Sequence, residues 1–300
     1  MQVRIGTRGS QLALVQADKV KHRLLQLDPL LDVVVVPIST VGDRDLQSPL
    51  YDLGGKGVFI KEIEQALLSH QVDLAVHSLK DITSELAVGL ELTAFLEAET
   101  TADALILKAP YTSLDALPQG AIIATGSMRR KALLKRLRAD IQTMDIRGNV
   151  NTRLNKLEQG DFAGLLLSEA GLIRLHLQHK ISQCFSPDAF CPAPGQGVIA
   201  IETRIGDRVI KTLCEKINDP LQCFKSETEL VFLRRVGLDC RSPLGAHVRV
   251  QGNDVSLLAF VANADMTQVY EQKRLFKRAE SVATATQLAD DFLDWMAHHQ

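Results

Sequence analysis

The chain is poor in the features that announce a chemistry by motif. Its five cysteines (Cys184, Cys191, Cys214, Cys223 and Cys240) are odd in number, irregularly spaced and form no CxxC pair, which excludes a zinc ribbon or a disulfide framework. The eight histidines show no HExxH or other metal spacing, so nothing points to a metal site. No run approaches the roughly 18 apolar residues of a membrane span. The opening MQVRIGTRGSQLALVQ lacks a basic region followed by an apolar one; no signal peptide is expected, and the chain reads as cytoplasmic. Internal repeats and low-complexity tracts are absent. Charge of one sign is also lacking: 34 Lys+Arg against 36 Asp+Glu give a net charge of −2 and no whole-chain drive toward nucleic acid.

What remains is an ordinary globular composition, 300 residues with 46% apolar and 23% charged, a length that predicts about two domains. Short apolar runs alternate with helical spacing up to about residue 215. Strands are expected at Val3–Gly6, Val33–Ile38, Leu74–His77, Ala121–Ala124, Gln142–Ile146, Gly164–Leu167 and Val198–Glu202. Helices are expected around residues 12–20, 59–67, 131–137 and 151–158. Such alternation predicts parallel sheets with crossover helices. After Asn218-Asp219-Pro220 the texture changes to a helix over 227–236, strands over 248–251, 255–261 and 269–276 separated by turns, and a helix over 282–298. That pattern predicts a small α+β domain built on an antiparallel meander.

The charge is unevenly placed. Residues 121–160 hold nine Lys/Arg and three acids, +6 in one stretch, leaving −8 elsewhere. A confined basic island suits a compact polyanionic ligand. Lys135, Arg136 and Arg138 read as a solvated helix face, whereas Arg129, Arg130 and Arg147 fall at turns after apolar strands. Three turns look built for anions: Gly6-Thr7-Arg8-Gly9-Ser10, Thr125-Gly126-Ser127-Met128-Arg129-Arg130 and Arg147-Gly148-Asn149-Val150-Asn151-Thr152-Arg153. Free N–H groups at a helix start favour an anion, and arginine adds a planar fork that matches a carboxylate. Hydroxyls at such places also serve as plain helix caps. Open α/β sheets bind ligands at the carboxyl ends of their strands, where these turns are expected. Asp73–Asp81 runs a buried strand into the polar tip Ser78-Leu79-Lys80-Asp81; Lys80-Asp81 reads equally as a surface ion pair or as a carboxylate facing the arginines. Gly54-Gly55-Lys56-Gly57 lacks the rest of a phosphate loop and reads as a mobile loop.

TRGSQLALVQA, GGKGVFIKEIE, AVHSLKD, GSMRRKALL, RGNVNTRLNKL, AGLIRL, PAPGQG and DCRSPLG together resemble the porphobilinogen deaminase (hydroxymethylbilane synthase) family almost end to end. The resemblance implies an α/β fold of two doubly wound, periplasmic-binding-protein-like domains, residues 1–98 with 198–217 and residues 99–197. A small α+β third domain, 218–300, is implied as well. It implies a transferase that polymerises four porphobilinogen units on a covalent dipyrromethane cofactor, held by a thioether to Cys240. Asp81 matches the catalytic aspartate. Lys80, Ser78, Thr125, Ser127, Arg129, Arg130, Arg147 and Arg153 match residues binding the cofactor or growing chain, and Arg8, Ser10 and Arg174 match the substrate side. Phe59 and Lys56 match a flexible loop over the cleft. A monomer acting on a small molecule, with no nucleic acid or membrane partner, is expected.

Ammonia loss from the substrate's aminomethyl group leaves a cation that a carboxylate at Asp81 would stabilise. A growing chain gains two carboxylates per unit, which the arginines offset. Several positions depart from the family pattern: Val41 for an arginine, Asp52 where lysine is common, Thr101-Ala102-Asp103-Ala104, Leu238-Asp239 before Cys240, Ser168 in place of an alanine, and Ile82-Thr83 after Asp81. A homologue with altered chemistry and a small-carboxylate binding module are therefore the alternatives.

Overall fold

The β-branched and leucine-rich runs form strands, and the polar-apolar repeats between them wind into helices. The computed structural model describes residues 1–44, 57–83, 85–238 and 242–299. In chain order these are β1 Gln2–Arg8, α1 Gln11–Leu27, β2 Asp32–Ile38, α2 Val41–Arg44, α3 Lys61–Leu68, β3 Leu74–Ser78, β4 Leu90–Leu96 and β5 Asp103–Leu107. There follow β6 Ile122–Ala124, α4 Met128–Leu137, β7 Gln142–Met144, α5 Val150–Gln159, β8 Gly164–Ser168, α6 Glu169–Arg174 and β9 Gln183–Phe185. The chain ends with β10 Ile199–Arg204, α7 Arg208–Lys216, α8 Pro220–Val236, β11 Leu244–Gln251, β12 Asp254–Ala262, β13 Val269–Lys277 and α9 Ser281–His298. It divides into two compact units, 1–99 with 197–224 and 100–196 with 225–300.

The first unit holds a sheet of order β2-β1-β3-β10-β4. Its core joins Val3, Ile5, Leu74 and Val76 of the strands to Ala17, Val20 and Leu24 of α1, spaced to share one helix face. The second unit holds a sheet of order β7-β6-β8-β5-β9. The two orders are equivalent: three parallel strands, then an antiparallel one, then an outer strand antiparallel to that. The doubly wound α/β class therefore holds, but both sheets are mixed, not parallel as the alternation predicts. β5 and β10 are entered from the connections out of the other unit rather than through a crossover helix, so no local unit sets them parallel. The alternation also misses α2, β4, β5, β9, α6 and α7.

In the second unit, β11, β12 and β13 form the expected antiparallel meander. Phe232 of α8 meets Phe292 of α9 edge-on at 5.3 Å, and Tyr270 of β13 meets Phe292 at 4.8 Å. Leu258, Phe260 and Ala262 of β12 share a core with Leu133 and Leu134 of α4. The Asn218-Asp219-Pro220 break is a helix start rather than a linker. Pro220 opens α8, where a missing N–H costs nothing, and Asp219 Oδ1 accepts from Gln222 N–H at 2.6 Å. The helix begins seven residues ahead of its expected start because its buried face is polar there, with Gln222 and Ser226 enclosed.

Candidate functional site

In the first sheet β1 and β3, and in the second β6 and the outer strand β7, run into polar turns. In the first unit, β1 ends at Arg8 and α1 begins after Ser10, whose hydroxyl accepts from Ala13 N–H at 3.3 Å. Ser10 is thus an ordinary cap. Arg8 is held side-on by Asp43, with Nη2 to Oδ1 at 2.5 Å and Nε to both carboxylate oxygens at 3.2 Å. Its guanidinium carbon lies 4.0 Å from the centre of the Phe59 ring. Burial works against the Asp43 carboxylate, but the Arg8 fork and the Thr40 hydroxyl outweigh it and hold its pKa below the ordinary value.

β3 carries the sequence on through Ser78 into a 3-10 turn, Leu79–Asp81, anchored by Leu79 N–H on Val198 O at 3.0 Å. Ser78 Oγ exchanges hydrogen bonds with the Gln16 side chain at 2.8 and 3.2 Å. Lys80 and Asp81 are half-buried. The Asp81 carboxylate makes no hydrogen bond or ion pair among the described residues, so it is not the partner of a surface salt bridge there.

In the second unit, β6 leads into buried Thr125, whose N–H donates to Met144 O at 2.8 Å and whose Oγ1 accepts from Ser127 N–H at 3.3 Å. Ser127 caps α4, accepting from Arg130 N–H at 3.4 Å. Arg129 and Arg130 follow in the first turn, and both turn inward. Buried Asp103, at the head of β5, receives Arg130 Nε at 2.8 Å and Nη2 at 2.7 Å on Oδ1, with Arg129 Nη1 2.8 Å from Oδ2. Arg129 also donates to Cys191 O at 2.7 Å and Arg130 to Leu166 O at 3.1 Å. One carboxylate therefore serves two guanidinium groups. The buried Nε of Arg129 has no hydrogen-bond partner among the described residues.

The third turn lies between β7 and α5. Asn149 caps α5, accepting from Thr152 N–H at 2.9 Å, and Arg153 Nε donates to Gly148 O at 2.7 Å. Arg147 is half-buried, and Arg174 closes α6 as a buried side chain. Arg136 and Arg138 of the solvated face are tied to Glu271 and Asp140 at 2.9 and 2.7 Å. Lys56, Asp52 and Cys240 lie outside the described residues.

Within the first unit, then, the structure sets out Arg8, Ser10, Ser78, Lys80 and Asp81 along the carboxyl ends of β1 and β3. Within the second it gathers Thr125, Ser127, Arg129 and Arg130 at β6, with Arg147 and Arg153 at the neighbouring turn. Sequence reasoning passes over Asp103, Asp43 and Gln16, which hold these side chains. Asp103 offered one signal, a lone acid at the head of an apolar run. The donors are hydroxyls, guanidinium groups and one ammonium, a set suited to carboxylates. No group of acids, histidines and cysteines among the described residues could hold a metal ion, and no described helix is long and apolar enough to cross a membrane.

Residues 3–212 match the family described as porphobilinogen deaminase, dipyromethane cofactor binding domain. A porphobilinogen deaminase of Chloroherpeton thalassium is 40% identical over 292 residues, covering 97% of this chain and 92% of that protein. One from Syntrophotalea carbinolica is 42% identical over 291 residues, with the same coverage of each. Among solved structures, the VFT2 domain of Bordetella pertussis BvgS aligns with 78% of this chain and 91% of its own, at 13% identity and a TM-score of 0.44.

Proposed function

The chain belongs to the porphobilinogen deaminase family, and we propose on that footing that it joins four porphobilinogen units head to tail, with release of ammonia, to give hydroxymethylbilane. The observation that carries this reading is Asp81: a half-buried carboxylate with no partner among the described residues, at the carboxyl end of a central strand and next to Lys80. A carboxylate so placed stabilises the cation left as ammonia departs and accepts hydrogen bonds from pyrrole N–H groups. Lys80, Arg147 and Arg153 bind carboxylates. Thr125 and Ser127 shape the mouth of α4, and Arg129 and Arg130 set two buried guanidinium groups beside it.

The family's dipyrromethane cofactor suits this donor set, because its acetates and propionates want cations and hydroxyls. Bound through Cys240, it supplies a tethered pyrrole as primer, which makes each addition intramolecular. Three of the four other thiols support Cys240 as the attachment point. Burial and the neighbouring Glu169 push Cys184 up to about 11, burial takes Cys214 to about 12, and burial raises Cys191 as well. A thiol so raised is a poor nucleophile at neutral pH. In this reading residues 1–98 with 198–217, 99–197 and 218–300 act as three domains, the last presenting Cys240. The protein works as a cytoplasmic monomer, where an exposed thiol such as Cys184 stays reduced.

Asp81→Asn tests the reading, since it removes charge with little change of volume. Porphobilinogen turnover should fall by about 10²–10³-fold with an unchanged circular dichroism spectrum; retention of most activity would overturn the role of Asp81. Intact-protein mass should show a dipyrromethane adduct that Cys240→Ser abolishes.

A further inference from the structure

Arg8 is more constrained than its place at a strand end requires. Asp43 occupies its Nε–Nη2 edge, and the Phe59 ring covers one face. Asp43 is itself fixed by the Thr40 hydroxyl at 2.8 Å. The short α2 that carries Asp43 is tied to residues 58–62 by Val41 N–H on Glu62 Oε1 at 2.8 Å and Gly42 N–H on Val58 O at 3.2 Å. Phe59 packs directly on the Gly42 backbone, where a Cβ would stand 2.2 Å from the ring. The remaining Arg8 donors, along its other edge, meet no acceptor among the described residues.

We propose that Asp43 is a positioning residue for Arg8. By filling one edge of the guanidinium it leaves the other as the only fork for a ligand, and so sets the plane in which a substrate carboxylate binds. This rests on the assignment of Arg8 to the substrate side. Because Asp43 compensates the charge of Arg8, recognition comes from directed hydrogen bonds more than from net charge, which selects a planar carboxylate over an anion of other shape. Freeing the side chain restores rotamer entropy that binding must then remove.

The test compares Arg8→Leu, Asp43→Ala and Asp43→Asn as full-length holoprotein, with porphobilinogen as the probe. Arg8→Leu should raise KM; an unchanged KM would overturn the substrate-side assignment and this inference with it. Given that rise, Asp43→Ala should raise KM by about tenfold with kcat nearly unchanged. Asp43→Asn keeps an acceptor in place and should restore KM to within about twofold of the parent. The Arg8 Nε–H resonance in a ¹⁵N spectrum should exchange slowly with solvent in the parent and the Asn variant, and rapidly in the Ala variant. If Arg8→Leu raises KM but Asp43→Ala leaves KM and the exchange rate unchanged, or lowers KM, Asp43 does not position Arg8.

Discussion

At the scale of single residues, the site depends on how each charge is neutralised. Asp103 is fully buried between two guanidinium groups that are themselves 3% and 6% exposed. Removing one member of a buried ionic group costs far more than the group contributes intact, because uncompensated charge remains. Asp103→Asn should therefore destabilise the protein by about 3–5 kcal/mol, measured as a drop in the urea midpoint. Arg130→Met should cost less, since Arg129 still faces Asp103. Equal losses in the two variants would show that Asp103 does not bridge both.

At the scale of elements, one turn and one helix carry testable consequences. Gly148 has a φ of +110°, and a Cβ there would stand 2.7 Å from the Thr152 side chain. Gly148→Ala should strain the turn by about 1–3 kcal/mol and loosen the Asn149 cap, seen as weaker amide protection at the start of α5. On α3, Glu64 accepts from Ala87 N–H at 3.0 Å, while His77 and Glu202 form a buried pair at 3.0 Å. Burial above all, with the nearby Glu202 charge, raises the Glu64 pKa. The folded state therefore binds that proton more tightly than the unfolded chain, and this contribution is lost as pH rises through the folded pKa. Glu64→Gln keeps the acceptor without the ionisation. It should raise the melting temperature at about pH 8 and give no gain at about pH 4, measured by calorimetry.

At the scale of the whole molecule, depressed carboxylates set the acid limit. Asp73 pays a burial penalty but accepts Arg4 Nε and Nη2 at 3.0 and 2.8 Å, which together with the Arg4 N–H brings its pKa below the ordinary value. Asp43 is lowered as well, and exposed Asp140 falls to about 2 through Arg138. For such groups the stabilisation is present above the unfolded pKa and disappears as pH falls through the folded one. Stability should decline below about pH 4, and Asp73→Asn should flatten that decline while lowering stability at neutral pH. Chemical denaturation across pH checks both. The equivalent strand orders give both units the same architecture at the β1 and β6 ends, which is why capped turns of similar composition recur in the two halves.

Local order carried much of this in the sequence. Val33–Ile38 and Leu74–His77 read as strands because β-branched and apolar runs need no distant partner to declare themselves. The polar turns ahead of α1, α4 and α5 read as helix starts because a cap acts within three residues. The family could be recognised from ordered segments running almost from end to end. Tertiary structure alone decided that β5 and β10 run antiparallel, since strand direction depends on a pairing over a hundred residues away in the case of β10 with β3. It also decided which arginines the protein's own acids engage. Arg129 and Arg130 are bound to Asp103, 26 and 27 positions earlier, and Arg8 to Asp43. A composition count sees charge; only the folded chain sets the distance over which one charge cancels another.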